Sequence, residues 1–263
     1  MKICTLASSS KGNSTLVFTD KTRILIDAGI SYTEIKSKLN KLGFSCDDIT
    51  AIVVTHEHSD HVKGVGSMIR RNGIPVYVHT SGYDAIKNKV GRVLDGQLIQ
   101  FFDQDFSIGD LIITPFRLSH DSKFCVGYSI SDGANKFTIA TDLGVFPPDL
   151  IQYFENSKLV ILESNHDMDM LIKNPKYSFL LKNRILGKNG HLSNNMAARV
   201  VEKLAHMGVK QVILAHLSEE NNTPEICFNT ACTYLSSVGV QVGKNINIDI
   251  ADPHEIGTVY NLK

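Results

Sequence analysis

Thr55-His56-Glu57-His58-Ser59-Asp60-His61 follows directly on the apolar run Ala51-Ile52-Val53-Val54. A short, continuous run of β-branched and small apolar residues reads as a strand buried on both faces. The histidine cluster begins where that strand ends. Imidazole nitrogens beside a carboxylate suit Zn²⁺, Mn²⁺ or Fe²⁺. In an extended or tightly turned stretch His56 and His58 fall on one side, and Asp60 and His61, on the following turn, can reach a second ion. Chance assembles HxHxDH in on the order of one chain in a thousand of this composition and length.

One segment cannot close two metal sites, so further ligands are required downstream, each at a strand end. His120 follows the strand Leu111–Leu118, Asp142 the strand Phe137–Ala140, and His216 the strand Gln211–Leu214. A lone histidine after a strand is ordinarily a hydrogen-bonded structural residue. Four apolar strands that each deliver a ligand type at the last turn are not explained that way.

Outward from these residues the chain alternates between periods of two and of 3.6. Strands are expected at Lys2–Ala7, Thr15–Thr19 and Arg23–Asp27, with a Ser-rich turn over Ser8–Asn13. Further strands are expected at Pro75–His79, Gln97–Phe102, Phe124–Ser131, Lys136–Ala140, Leu159–Leu162 and Ile246–Ile250. Ser31–Leu42 carries apolar residues at helical spacing and is stopped by Gly43. Ser193–Met207 predicts a helix capped by Ser193, with Met196, Val200, Val201 and Leu204 on one face. The pattern fits α/β architecture, two mixed β-sheets flanked by helices, better than a doubly wound sheet. Neither a GxGxxG nor a Walker loop follows the first strand. With no repeat and no linker-like tract, residues 1–263 read as one domain.

The bulk properties narrow the function. A chain of 263 residues can bury a full core, and 43% hydrophobic with 21% charged residues is ordinary for a globular protein. No apolar run is long enough to span a bilayer, and the start Met1-Lys2-Ile3-Cys4-Thr5-Leu6 is not a secretory signal. Five scattered cysteines without a CxxC pair argue against a disulfide framework or a cysteine zinc site, so a cytoplasmic location is expected. The net charge of zero argues against broad nucleic-acid binding but leaves room for a local basic groove.

The order HxHxDH, His, Asp, His resembles the metallo-β-lactamase superfamily over almost the whole chain. The resemblance implies the αββα sandwich of that family. It also implies that His56, His58 and His120 hold one metal, that Asp60, His61 and His216 hold the other, and that Asp142 bridges them. Asp27, in Leu25-Ile26-Asp27-Ala28-Gly29, matches the family aspartate that orients the site without binding metal. Two divalent ions, Mn²⁺ or Zn²⁺ with Fe²⁺ as a third candidate, would activate water for hydrolysis.

His191, in Gly190-His191-Leu192-Ser193-Asn194, reads either as a general acid for the leaving alkoxide or as an ordinary loop histidine before a helix. Glu163, in Leu162-Glu163-Ser164-Asn165-His166, reads either as the group that orients it or as a solvated strand-end carboxylate. The pair is similar to an auxiliary acid and histidine in nucleases of the superfamily. With Leu6–Ser14 and Ala215–Ser218, these segments resemble the bacterial YycJ (WalJ) group. That resemblance implies a 5′-to-3′ exonuclease acting on double-stranded DNA in mismatch repair with Mn²⁺, in which Asp60, His191 and Glu163 take part in the chemistry. A small-molecule phosphodiester or thioester hydrolase, and a non-catalytic metal-binding or partner-binding scaffold, are the competing readings.

Two features bear on the substrate. Ser8–Ser14 reads either as a phosphate cradle or as a tight strand-to-strand turn. Lys173, Lys176, Lys182, Arg184 and Lys188 read as a solvated helix face unless they border the metal cleft, where they would track a nucleic-acid backbone. His79, His166, His206 and His254 fall outside the ligand pattern and are expected to be structural or surface residues.

Overall fold

The computed structural model describes residues 1–262. The first half of the chain contributes β1 (Lys2–Ser9), β2 (Gly12–Phe18), β3 (Arg23–Ile26), α1 (Tyr32–Lys41), β4 (Ala51–Val53), α2 (Ser59–Val62), α3 (Val65–Asn72), β5 (Val76–His79), α4 (Tyr83–Val90) and β6 (Leu98–Phe101). The second half contributes β7 (Phe106–Ile108), β8 (Leu111–Leu118), β9 (Cys125–Ser131), β10 (Lys136–Ala140), β11 (Leu159–Glu163), α5 (Met168–Lys173), α6 (Phe179–Leu186), α7 (Asn194–His206), β12 (Gln211–Ala215), α8 (Pro224–Ser237) and β13 (Asn247–Ile250). A last strand, β14 (Tyr260–Asn261), returns to the edge of the first sheet.

Two seven-stranded mixed sheets result, ordered β14-β1-β2-β3-β4-β5-β6 and β13-β12-β11-β10-β9-β8-β7. The halves share a topology that no sequence repeat announces. In each sheet, four strands pair antiparallel and the fourth then begins a parallel run of four. The expected α/β sandwich is observed.

Alternation along the strands divides the apolar side chains between layers. Ala51 and Val53 of β4 join Ile24, Ile26, Tyr128, Ile139 and Ile161 between the sheets. Ile52 and Val54 face the other way, with Ile35 and Leu39 of α1 and Met68 of α3. Beyond the second sheet, Val200, Val201 and Leu204 of α7 pack with Cys227 and Leu235 of α8. The run Ala51–Val54 is thus buried on both faces, as its composition predicts.

Local signals end the elements where expected. Ser31 caps α1 in a capping box with Glu34, and Gly43 at φ 81° closes its C-terminal side. Ser193 caps α7 by accepting from the Met196 amide. Two expectations need correction. Met196 is 39% exposed, and Ala197 and Ala198 take the inner face with Val200, Val201 and Leu204. Ser8–Asn13 is not a long turn, because β1 runs through Ser9 and β2 resumes at Gly12. Cross-strand pairing with β2 overrides the turn preference of serine there, leaving only Ser10 and Lys11 at the tip. Helix α8, opened by the Thr223 cap and Pro224, was not singled out in the sequence.

Candidate metal centre

The inner ends of the strands meet along one edge of the sandwich. β4 ends just before His56, β8 before His120, β10 before Asp142 and β12 before His216. Asp27 (φ 60°) and His216 (φ 59°) directly after a strand, and Asp142 (φ 66°) one residue beyond one, adopt the left-handed conformation. Such a backbone is uncommon for a residue with a Cβ, and here it sharply turns the chain at the strand end. Asp27 after β3 and Asp142 after β10 occupy equivalent places in the two halves.

The predicted ligands converge. Donor atoms of His56, His58 and His120 lie within 4.8 Å of one another, as do those of Asp60, His61 and His216, and those of His56, His61 and Asp142. Asp142 stands between the first two groups. Its Oδ1 is 3.7 Å from His120 Nε2 and 3.6 Å from His216 Nε2, while its Oδ2 is 3.2 Å from His61 Nε2. Asp60 Oδ2 is 3.3 Å from His61 Nε2 and 3.5 Å from His216 Nε2.

Hydrogen bonds behind the donors set which ring nitrogen faces the cleft. His61 Nδ1 lies 2.7 Å from Asp27 Oδ2, and Asp27 is anchored in turn by the Thr55 amide and hydroxyl, each at 2.8 Å. His120 Nδ1 faces the Gly190 carbonyl at 3.3 Å, leaving Nε2 inward. This arrangement of a carboxylate or carbonyl behind an imidazole is the usual support of a metal-binding histidine. Gly29 lets the two loops close: a Cβ there would stand 1.6 Å from the Asp60 carbonyl oxygen.

The donor set fits divalent cations. His56 Nε2 is buried and lacks any hydrogen-bond partner, a costly state that a cation would relieve. The electrostatics agree. Burial opposes a charged His61, yet Asp142, Asp60 and Asp27 hold its pKa well above the ordinary value. His216, opposed by burial in the same way, is pushed up to about 10 by Asp142, Asp60 and Glu163. Both shifts favour the protonated imidazole, whose charge would balance the buried carboxylates. A metal-bound imidazole must surrender that proton, so metal loading near pH 7.5 should release about two protons per molecule. Calorimetric heats in buffers of different ionisation enthalpy would count them, and buffer-independent heats would contradict the charge balance described here.

Glu163 and His191 also meet. His191 Nδ1 lies 2.6 Å from Glu163 Oε1, and Glu163 Oε2 accepts the Leu143 amide at 2.8 Å. Glu163 is fully buried at the last residue of β11, not solvated beyond it. Burial opposes protonation of His191, but the Glu163 and Asp142 carboxylates raise its pKa overall. His191 lines a cleft of about 330 Å³ with His58, Asp60, His120, Asp142 and His216.

Other side chains that no motif had marked as part of the site reach its donors or its cleft. The Asn13 amide donates to Asp60 Oδ2 at 3.3 Å and stands 3.2 Å from His61 Nε2. The Asn165 amide bonds the His216 carbonyl at 2.8 Å and Ser10 Oγ at 3.3 Å. Tyr177, Leu181, Arg184 and Ile185 form one wall. Only the Ser-rich hairpin and the basic stretch hinted at these contributions. The hairpin is the tight turn, with Ser10 at the cleft. Within the basic stretch Arg184 borders the cleft, while Lys173 pairs with Asp169 and Lys176 with Glu220.

The remaining histidines stand apart from the ligand groups. His79 stacks on Phe124 at 3.9 Å and contacts Asp103, and the exposed His254 lies 3.6 Å from Glu219. His166 is buried with both ring nitrogens unpartnered, and burial depresses its pKa to about 4. His206 closes α7.

Asp27 offers a direct check of this support. Asp27→Asn keeps the shape but can no longer accept from Thr55 and His61 with a full charge. Metal affinity is expected to fall about 10–100-fold, read by competition with a chelating dye, with little change in the folded circular dichroism spectrum.

Comparisons with known proteins agree with this fold. A family model described as the β-lactamase superfamily domain matches residues 22–217. The chain is 32% identical over 249 residues to exodeoxyribonuclease YycJ of Bacillus anthracis, covering 94% of each. It is 33% identical over 255 residues to exodeoxyribonuclease WalJ of Streptococcus pneumoniae, covering 96% of this chain and 94% of that one. Among solved structures, the metallo-β-lactamase fold protein YhfI of Bacillus subtilis aligns over 99% of both chains with a TM-score of 0.74 at 18% identity.

Proposed function

The chain belongs to the metallo-β-lactamase superfamily, and on that premise we propose that it is a metal-dependent phosphodiesterase, a 5′-to-3′ exonuclease of double-stranded DNA acting in mismatch repair in the cytoplasm. The observation that carries the reading is the His191–Glu163 pair at 2.6 Å on the rim of a cleft lined by the converging donors. The identity to exodeoxyribonucleases along nearly the whole chain supports the choice of substrate.

His56, His58 and His120 would hold one divalent ion, Asp60, His61 and His216 a second, and Asp142 would serve both. Mn²⁺ and Zn²⁺ suit these donors, and Fe²⁺ remains chemically compatible. When bound, such ions supply positive charge against the phosphate oxygens and lower the pKa of water. The protein's own residues do the rest. Glu163 takes the Nδ1 proton of His191 as a hydrogen bond and favours the imidazolium. Nε2 is then the atom that hands a proton to the departing alkoxide. Burial of Glu163 at the end of β11 and its bond from the Leu143 amide hold this pair in one orientation.

A cleft of about 330 Å³ admits a nucleotide-sized group and not a duplex, which favours attack at a chain end. The same confinement favours one second reading, hydrolysis of a small phosphodiester or thioester. Metal-stripped protein should regain cleavage of a 5′-labelled duplex when Mn²⁺ or Zn²⁺ is restored, with label released as short products. An intact duplex beside turnover of bis(p-nitrophenyl) phosphate would replace the DNA reading with the small-molecule one.

A further inference from the structure

Four of the converging histidines, His56, His61, His120 and His216, are buried. Three of them have an oxygen against Nδ1, which leaves Nε2 for the cleft. Asp27 Oδ2 stands 2.7 Å from His61 Nδ1, Thr55 Oγ1 3.0 Å from His56 Nδ1, and the Gly190 carbonyl 3.3 Å from His120 Nδ1. His216 is the fourth. Its Nδ1 is buried without a hydrogen bond, and Glu163 Oε1 lies 3.5 Å away. Once Nε2 gives its lone pair to a cation, the neutral ring keeps its one proton on Nδ1. A carboxylate beyond that nitrogen is the usual acceptor.

The other contacts of Glu163 fall on the same centre. Its side chain is fully buried at the end of β11, its Oε1 stands 2.6 Å from His191 Nδ1, and its Oε2 accepts the Leu143 amide at 2.8 Å. Leu143 directly follows Asp142, whose left-handed backbone (φ 66°) turns the chain there. One carboxylate thus touches the segments that follow β10 and β12 and the loop before α7. Proximity alone would also let Glu163, His191 and His216 hold a cation, since their donor atoms lie within 4.8 Å of one another. The 2.6 Å contact argues for a proton instead, because an imidazole nitrogen that donates a hydrogen bond has no lone pair for a metal.

We propose that Glu163 is a shared positioning residue: besides orienting His191, it supports the metal-binding face of the centre through the His216 Nδ1 proton and the amide that follows Asp142. The inference rests on the assignment of Asp60, His61 and His216 to one ion, and not on the identity of the substrate. Asp27 and Glu163 then stand as charged supports behind the two histidines of that ion. Behind His56 and His120, assigned to the other ion, stand a hydroxyl and a carbonyl.

Glu163→Gln tests this at constant volume. Its amide oxygen can face the two rings or the Leu143 amide, and the NH2 group then opposes an N–H on the other side. Affinity for one of two Zn²⁺ ions should fall about 10–100-fold, read by competition with a chelating dye. The same fall should appear when Glu163→Gln is added to His191→Ala, because the support reaches His216 without passing through His191. In the Zn²⁺-loaded parent, long-range nitrogen–proton correlation should find a downfield proton on His216 Nδ1, and Glu163→Gln should move it upfield. Unchanged affinity in Glu163→Gln, or a fall that vanishes in the His191→Ala background, overturns the shared role and leaves the metal and nuclease readings standing. Binding of a third ion by the parent also overturns it, because Glu163, His191 and His216 would then be a cation site. Should Glu163→Gln fail to fold, the parent spectrum decides: a His216 Nδ1 without a proton, or with one at the position of a water-exposed imidazole, overturns the role. A parent that binds no divalent ion removes the metal reading and this inference together.

Discussion

Asp142→Ala should lower DNA hydrolysis by about 10³-fold or more, which is several kcal/mol of lost charge stabilisation at about 1.4 kcal/mol per tenfold. The expectation comes from its position. Its two oxygens stand within reach of His120, His216 and His61, so among the described residues it is the one carboxylate that touches both donor groups. Its loss should also lower the bound metal, measured by plasma emission after gel filtration, towards one ion or fewer. The fold should survive, because the neighbours of the Asp142 carboxylate are the donor histidines and not the apolar core. Asp142→Asn is the sharper control, since it keeps the left-handed turn and the volume but removes the charge. Full activity in both variants would remove Asp142 from the metal site.

His191→Ala is expected to cost about 10²–10⁴-fold on DNA, the range for a positioned general acid, with metal content unchanged. The leaving group separates this role from a structural one. A DNA alkoxide needs a proton as it departs, whereas p-nitrophenolate does not. The variant should therefore lose far less with bis(p-nitrophenyl) phosphate than with DNA. Its pH–rate profile on DNA should lose the alkaline limb, because the raised pKa of His191 keeps the proton available from acid pH up to that pKa and loses it above. Glu163→Gln should shift that limb towards acid, since burial would then oppose the imidazolium with less charge to offset it. Equal losses on both substrates would assign His191 a structural or metal-holding part.

Much of this arrangement was legible in the chain because local pattern carries it. The apolar run Ala51–Val54 announces a strand buried on both faces, and His56–His61 lies where such a strand must stop. His120, Asp142 and His216 are legible for the same reason, each at the end of an alternating or apolar run. Serine caps are equally local: Ser31 and Ser193 bond amides three residues on. The Ser-rich hairpin misled because serine has a turn preference of its own, and the pairing of Ser8 with Asn13 across β1 and β2 overrode it. Met196 fits an apolar stripe by type, but the two alanines beside it approach the sheet more closely.

By itself, then, the sequence determined the strand-end positions of the donors and, through them, the sandwich. Those features depend on period, composition and residues a few places apart. Tertiary structure alone decided that Asn13 would reach His61, that Asn165 would hold the His216 carbonyl, and that Asp142 would stand between the two groups. It alone left Phe179 and Leu180 uncovered on α6. Asn13 and Asp60 are separated by 47 residues and Asn165 and His216 by 51, and such contacts form only when separate strands dock. No periodicity in the chain records those approaches, because the first two are set by strand order within a sheet and the approach of Asp142 to His61 by the packing of one sheet against the other.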